Sequence, residues 1–424
     1  MRVQKRYLLF FLLILPGVGG FGQQDTLTLR KCIKAARENA AVNSQYKLVQ
    51  ELADLKTANA RAMNLPTLSA YGKASYQSDA VSIELPMGGG VEVDLFQYNT
   101  GIEARQKIYD GGLSRRLKLL ESSVVDAESE KINTELYQLS SKVTDLFFQE
   151  LLLEKNRLLV ELKEEILLKR LDDMELGVEN GLLKANDLES MQAELLSVRQ
   201  QIIQIEKLKQ QIHSSLMILT GLEQGEYHFM VRDSLFLVPE MARPEKFYFK
   251  AEQQKLENMA YLQQAQNLPK LYAFGQAGYS YPGLNFFENE PDYYYIVGAR
   301  LSWTIFDWKQ NKREATILRK QKENISIREA DFDQNIELGR KQELIEQEQL
   351  RRMMAMDEEI IRQRSAVTTG SETALAEGII TTADYLEDLN QEIKARLDAE
   401  TRKIELQYSV IQLKILEGID LKHL

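Results

Sequence analysis

Cys32 is the only cysteine in 424 residues, which excludes an intrachain disulfide and a cysteine-based zinc site. The three histidines, His213, His228 and His423, stand far apart. No G-x4-G-K-S/T, H-E-x-x-H or C-x-x-C occurs, so neither a nucleotide loop nor a metal centre is expected, and the chain is read as no enzyme, with no cofactor. Proline (8) and glycine (23) are sparse, and no Ser/Pro/Gly-rich linker divides the sequence; one continuous architecture is expected rather than separate domains. Basic charge is also short. Lys and Arg number 53 against 63 Asp and Glu, a formal charge of −10, and that acidic balance argues against a nucleic-acid partner. Beyond the first residues no run of 18 apolar residues exists, so no membrane-spanning helix is expected.

What is present begins with a leader. Met1-Arg2-Val3-Gln4-Lys5-Arg6 is cationic, Tyr7 to Leu15 is apolar, and small residues end at Gly20-Phe21-Gly22. This is the pattern of a secretory signal peptide, with cleavage expected near Gly22. Cys32 lacks the small residues that precede a lipidated cysteine and fits a buried small hydrophobe on an amphipathic helix. With 44% hydrophobic and 27% charged residues the chain is too apolar to be disordered.

The rest is a duplication. Asn64-Leu65-Pro66-Thr67-Leu68-Ser69-Ala70-Tyr71-Gly72 returns as Asn267-Leu268-Pro269-Lys270-Leu271-Tyr272-Ala273-Phe274-Gly275, an offset of 203, and Ile108-Tyr109-Asp110 returns as Ile305-Phe306-Asp307, an offset of 197. From Asp110 to Gly181 and from Asp307 to Gly378 the separation is 71 in both cases. Loops drift in length freely; a conserved separation marks a rigid element matched to its twin. Between these landmarks apolar residues alternate steps of three and four, which is coiled-coil spacing. A helix of about 65 residues is roughly 100 Å long. Gly181 and Gly378 are expected at the C-caps where each long helix turns back, with Asn186-Asp187 and Thr381-Thr382 offering N-cap oxygens to the returning helix.

Between proline and aspartate the period changes to two. Phe96, Tyr98, Thr100, Ile102, Ala104, Gln106 and Ile108 alternate with Gln97, Asn99, Gly101, Glu103, Arg105 and Lys107, placing every charge on one face. The counterpart around 293–305 and the upstream partners at 68–76 and 271–279 behave alike. Strands of about ten residues with aromatic ends fit a membrane-spanning sheet. Four strands cannot close a barrel, and an open edge is not tolerated in lipid, so other copies of the chain are expected to complete it. These readings divide the chain into a leader (1–22), first-repeat helices (23–66), a first strand pair with its loop (67–109), a first long hairpin (110–222, tip near 177–187), an inter-repeat lateral segment (223–246), a second-repeat helix (247–269), a second strand pair (270–306) and a second long hairpin (307–424, tip near 375–387).

The opening Leu27-Thr28-Leu29-Arg30-Lys31-Cys32-Ile33-Lys34-Ala35-Ala36, the paired Asn-Leu-Pro motifs, Tyr109-Asp110-Gly111-Gly112 with its echo at Phe306, and the two Gly-x5-Asp tips resemble the TolC-like outer-membrane efflux protein family. The resemblance covers almost all of the chain after the leader. It implies a mainly α fold with a membrane β-barrel part: a homotrimer in which four strands per chain build a twelve-stranded barrel, continued through the periplasm by an α-helical tunnel of antiparallel coiled-coil hairpins. It implies a passive exit channel, embedded in outer-membrane lipid and docked by a periplasmic adaptor protein and an inner-membrane pump. The tips Gly181, Leu182, Leu183, Gly378, Ile379 and Ile380 would meet the adaptor, and Asp384 and Glu387 would form the periplasmic aperture. Threefold acidic rings favour cations; Asp384 also fits a helix-start residue and Glu387 a solvated or capping-box carboxylate. Some family members lock the closed tip with a tyrosine and an arginine, where this chain has Leu375 and Ile380. Export of polypeptides in a type I secretion system is an alternative within the channel class; a secreted coiled-coil adaptor without a barrel is the alternative outside it.

Overall fold

Proline and glycine punctuate this chain rather than interrupt it, and the elements follow from where they stand. In the computed structural model the described residues are 25–79, 82–84, 90–181, 183–225, 227–231, 243–285 and 287–419. The leader with its expected cleavage point, Leu182, and residues 232–242 of the lateral segment lie outside them. The order is β1 (Asp25–Thr28), α1 (Leu29–Asn39), α2 (Val42–Ala62), β2 (Thr67–Tyr76), β3 (Ser82–Glu84), β4 (Gly90–Glu92), β5 (Phe96–Tyr109), α3 (Leu113–Glu179), α4 (Ala185–Thr220), β6 (Tyr227–Met230), α5 (Pro244–Ala265), β7 (Lys270–Tyr281), β8 (Asp292–Ser302), α6 (Gln310–Ala376) and α7 (Thr382–Leu416).

Helices α3 and α6 are both 67 residues long. Their interiors contain no proline, and at 1.5 Å per residue each spans about 100 Å. The shorter helices share this length: α4 and α7 run back from the tips, while α2 and α5 lie nearer the strands. Helix α5 packs on both α3 and α6, so it joins the two repeats; among the described residues α2 packs chiefly on α3.

The strands form one antiparallel sheet in the order β2-β5-β7-β8. Within the first repeat Thr67 faces Arg105 and Gly72 faces Thr100; within the second, Lys270 faces Ser302 and Gly275 faces Val297. These are the same pairs once the offsets of 203 and 197 are applied, so the duplication preserved register as well as pattern. The period-two faces separate as expected: Leu68, Val297 and Leu301 are exposed on the outer face, and Tyr294 is buried on the other, where its hydroxyl donates to Asn99 Oδ1 at 2.6 Å. Strand β8 ends at Ser302, short of the boundary at 306 read from the sequence, because residues 303–306 have no neighbouring strand within one chain.

The recurring asparagine and aspartate have a physical reason. Where strand becomes helix, Asp110 accepts from the backbone N–H of Gly112 and of Ser114, both at 2.9 Å, and Asn64 Oδ1 accepts from the Ser114 hydroxyl at 2.9 Å. In the second repeat Asp307 accepts from the N–H of Asn311 at 3.0 Å and from Asn267 Nδ2 at 2.6 Å. These bonds, the Asn311 N–H foremost, hold the Asp307 carboxyl below its ordinary range. Each carboxylate caps the start of a 67-residue helix and ties it to the turn that precedes the repeat's first strand.

The turn itself needs left-handed backbone. Gly111 and Gly112 have φ of 69° and 81°, and their counterparts Trp308 and Lys309 adopt 54° and 63°. A side chain in this region costs on the order of 1–2 kcal/mol. Gly111 has a second constraint, because a Cβ there would stand 2.6 Å from Leu268 Cβ.

Two apolar cores hold the helices. One gathers Cys32, Ile33, Phe147, Phe148, Leu216 and Ile411 from α1, α3, α4 and α7, with Tyr227 and Phe229 of β6 packed against it. Burial there pushes the Cys32 thiol up to about 12, in keeping with a role as a small core residue. The lateral segment contributes β6, which pairs in parallel with β1. That two-stranded element was not read from the sequence, where 23–66 was expected to be helical. The second core lies at the tips.

The turn geometry sets an expected outcome: Lys309→Gly raises the unfolding midpoint, by about 1 kcal/mol in stability, whereas Gly111→Val lowers it. Thermal unfolding followed by circular dichroism in detergent checks both; a destabilised Lys309→Gly variant would contradict the left-handed turn.

Candidate functional site

The two hairpin tips are built by one device. Gly181 and Gly378, at φ of 72° and 71°, end α3 and α6. The Gly378 N–H donates to Leu375 O at 3.0 Å and the Ile379 N–H to Ala374 O at 2.8 Å, a Schellman closure; at the first tip the Gly181 N–H donates to Val178 O at 3.0 Å. The glycines sit at the C′ position, as their helix-breaking character suggests.

The returning helices start differently from each other. Thr381 caps α7: its hydroxyl oxygen accepts from the Asp384 N–H at 3.3 Å, and Asp384 Oδ2 accepts from the Thr381 N–H at 2.9 Å. Thr382, also considered as a cap, is the first helical residue and is buried. At α4 the N-cap is Lys184, whose N–H is taken by Asp187 Oδ2 at 3.4 Å. Asn186 is already inside the helix and caps nothing, because Lys184 fills that position and the carboxylate of Asp187 supplies the acceptor.

The six tip residues divide by exposure. Gly181, Gly378 and Ile379 are exposed, Ile379 at 70%. Leu183 and Ile380 instead turn inward onto the tip core of Leu167, Met174, Met191, Leu375, Tyr385 and Leu389. Leu183 folds back over Gly177, where an added Cβ would meet Leu183 Cδ1 at 2.8 Å. Leu182 lies outside the described residues. Leu375, at the place where some family members carry a locking tyrosine, is a buried member of the same core.

Asp384 and Glu387 are both exposed on the first turns of α7, one helical turn apart. Asp384 is committed to the capping box, and the Thr381 hydroxyl and N–H hold its carboxyl below the ordinary range. Glu387 forms no hydrogen bond or ion pair among the described residues. The neighbouring Asp388 accepts from the Ser371 hydroxyl and so ties α7 to α6.

A link between the two hairpins escaped the sequence reading. Arg170 of α3 pairs with Glu372 of α6 and with Asp173 at 3.4 Å, and its guanidinium lies 5.9 Å from the centroid of the fully buried Tyr385 ring of α7. No local signal marks contacts between residues some 200 positions apart; the lone aromatic beside Leu386 in an aliphatic heptad was the only hint.

Farther along α3, Glu150 is fully buried, and neither of its carboxyl oxygens has a hydrogen-bond donor among the described residues. It lines a cavity of 460 Å³ with Glu154, Lys209, His213 and Tyr227; His213 Nδ1 stands 3.6 Å away. Burial raises the Glu150 pKa to about 7 and lowers that of His213.

No family model matches the sequence, and a search of curated proteins likewise gives no match. Solved structures do. The chain is similar to the CmeC outer membrane channel of Campylobacter jejuni, at 14% identity over 93% of this chain and 86% of that one, with a TM-score of 0.70. It is similar to the outer membrane protein VceC of Vibrio cholerae, at 14% identity over 93% and 96%, TM-score 0.68. The open-state MtrE outer membrane channel of Neisseria gonorrhoeae matches at 16% identity over 93% and 89%, TM-score 0.68.

Two outcomes test the tips and the buried carboxyl. Thr381→Ala removes one cap, at a cost of about 1 kcal/mol, and is expected to speed amide exchange in the first turn of α7 and not in mid-α6. Because the Asp384 pKa is depressed, the capping contribution is present above the ordinary aspartate value of about 4 and is lost as pH falls below it. Because burial raises the Glu150 pKa from the ordinary glutamate value to about 7, its ionisation adds no cost below about 4; the destabilisation grows as pH rises from there to 7 and is complete above 7. Glu150→Gln is therefore expected to raise the unfolding midpoint at pH 8, by on the order of 1 kcal/mol or more in stability, and to leave it unchanged near pH 4.5; an equal effect at both pH values would contradict the assignment. Over more than nine-tenths of its length, the chain has the fold of these outer-membrane channels.

Proposed function

We propose that three copies of this chain form an outer-membrane exit channel, a passive duct carrying small molecules outward from an inner-membrane pump and a periplasmic adaptor. The observation that carries this reading is the sheet: its outer face is apolar and exposed, with Val297 79% and Leu68 73% accessible, and among the described residues β2 and β8 leave both edges unpaired. An apolar face of this size is unusual in water, and open edges are not tolerated in lipid, so the sheet fits a wall that faces hydrocarbon and closes with other strands. A secreted coiled-coil adaptor has no use for such a sheet. Likeness in fold to three outer-membrane proteins supports the same membrane.

In the proposed trimer twelve strands close the barrel, and the 67-residue helices continue it as a tunnel into the periplasm. The exposed tip residues Gly181, Gly378 and Ile379 would receive the adaptor, with Leu183 and Ile380 shaping the tip from inside. Three copies each of Asp384 and Glu387 would ring the aperture; Glu387, without a hydrogen bond or ion pair among the described residues, would supply the charge that faces passing ions, while Asp384 chiefly holds the helix start. The Arg170 link to Glu372 and Tyr385 would hold the two hairpins of each copy together where the aperture narrows.

Purified protein in planar bilayers tests this. Wild-type channels are expected to prefer cations, and Asp384→Ala with Glu387→Ala is expected to raise conductance or reduce that preference, read from the reversal potential in a salt gradient. Unchanged conductance and selectivity would remove these carboxylates from the aperture, and absence of any conductance would remove the channel.

A further inference from the structure

The chain as a whole is acidic, yet the inner face of its sheet is not. Five cations and two carboxylates lie on the four strands, and the two-residue alternation puts all of them on the face of Tyr294. At the loop end, Lys73, Asn99, Ser280 and Asp292 stand in one row across the sheet, so one charge of each sign meets there. Toward the helix end Glu103 is already taken: it accepts from Arg105 Nε at 3.1 Å and Nη2 at 2.7 Å, and from Gln276 Nε2 at 2.9 Å. What is left at the helix end is Lys107, Lys270 and Arg300, and none of them forms an ion pair among the described residues. Lys107, Tyr272 and Arg300 share one row.

The sequence on either side sharpens the contrast. The loops at 77–95 and 282–291 carry six acidic residues and no Lys or Arg. Just past the strands, Asp110 and Asp307 cap the long helices, and within 110–116 and 307–313 they are outnumbered by Arg115, Arg116, Lys309, Lys312 and Arg313. The basic zone thus ends where the sheet's helix end meets the start of α3 and α6, with acidic loops beyond one side.

Aromatic rings reach along the same inner face. Phe274 extends over Gly298, where a Cβ would stand 2.8 Å from Phe274 Cζ, and the Arg300 guanidinium lies 5.6 Å from the centre of that ring. Nearer the loops the Tyr71 and Tyr294 hydroxyls meet, and a Cβ on Gly101 would come within 2.9 Å of the Tyr71 hydroxyl. Small residues here let large rings lie against the wall, beside the cations.

We propose that the helix end of the sheet is a basic collar inside the barrel that takes organic anions with an aromatic or apolar body, bound by Lys107, Lys270 and Arg300 and flanked by Tyr272 and Phe274. This rests on the trimeric barrel reading and names a class of cargo for it. Twelve strands spaced about 4.8 Å and tilted about 40° enclose a barrel roughly 12 Å in backbone radius. Long basic side chains narrow it further, so a solute passes within about one Debye length of the collar, roughly 8 Å at physiological salt. The collar opposes the cation preference of the aperture, and the two act in series: the aperture sets which ions pass easily, while the collar holds bulky anions that reach the barrel.

Current block in planar bilayers tests this, with naphthalenesulfonate as the probe and naphthylmethylammonium as its cationic match. The sulfonate is expected to block wild-type channels from one side of the membrane, less so at about 1 M salt, where the screening length falls to about 3 Å; the ammonium is not. Lys107→Gln, Lys270→Gln and Arg300→Gln together are expected to raise the half-blocking concentration at least about tenfold, and Arg300→Gln alone to move it part of the way, in proteins that keep the wild-type oligomer on an unheated gel. Should the triple variant lose that oligomer, the single variant decides. Equal block by both probes, no block by either, or block unchanged in the variants of a conducting channel overturns the collar and leaves the channel standing. Absence of conductance from the wild-type protein overturns the channel itself.

Discussion

Every backbone N–H and C=O in a membrane must find a partner within the protein, and among the described residues the sheet is paired in its middle and not at its two edges. The four-stranded order β2-β5-β7-β8 is half of an argument that a single copy cannot finish. Much else follows from it. In the proposed barrel both repeats would supply the same wall, and the strand pairs of the first repeat recur in the second in the same register. Equal 67-residue helices would serve the proposed tunnel in the same way, since a wall made from both repeats must end level.

The change from strand to helix is where two incompatible periodicities meet, and the chain manages it by local chemistry. An aspartate just past each repeat's second strand caps the long helix, and an asparagine ahead of the first strand is drawn to it. In the first repeat two glycines take up the left-handed backbone at no steric cost. In the second, Trp308 and Lys309 hold the same conformation at a steric cost.

Local signals were legible in the sequence. Three-four apolar spacing, glycine at the C′ position of α3 and α6, the Thr381–Asp384 cap and the two-residue alternation of the strands each depend on residues within a turn or two of one another. The signals that failed are those decided by distant parts of the chain. Strand β1 forms only because β6, about 200 residues away, lies beside it. Strand β8 stops at Ser302 because residues 303–306 have no neighbouring strand among the described residues. Leu183 and Ile380 looked like exposed tip residues, yet a four-helix core at the tip draws them in. Asp187 was read as a cap and instead completes one from the third helical position. At the candidate aperture the two carboxylates were found by position, but which one is spoken for by the helix start was visible only from the hydrogen bonds.

The most direct test of the central claim is the mass of the leader-cleaved protein extracted from outer membranes, measured by light scattering with the bound detergent subtracted. A shared barrel predicts three chains per particle, released only by detergent. A single chain per particle, or release into plain buffer, would contradict it and leave the exposed sheet without an explanation.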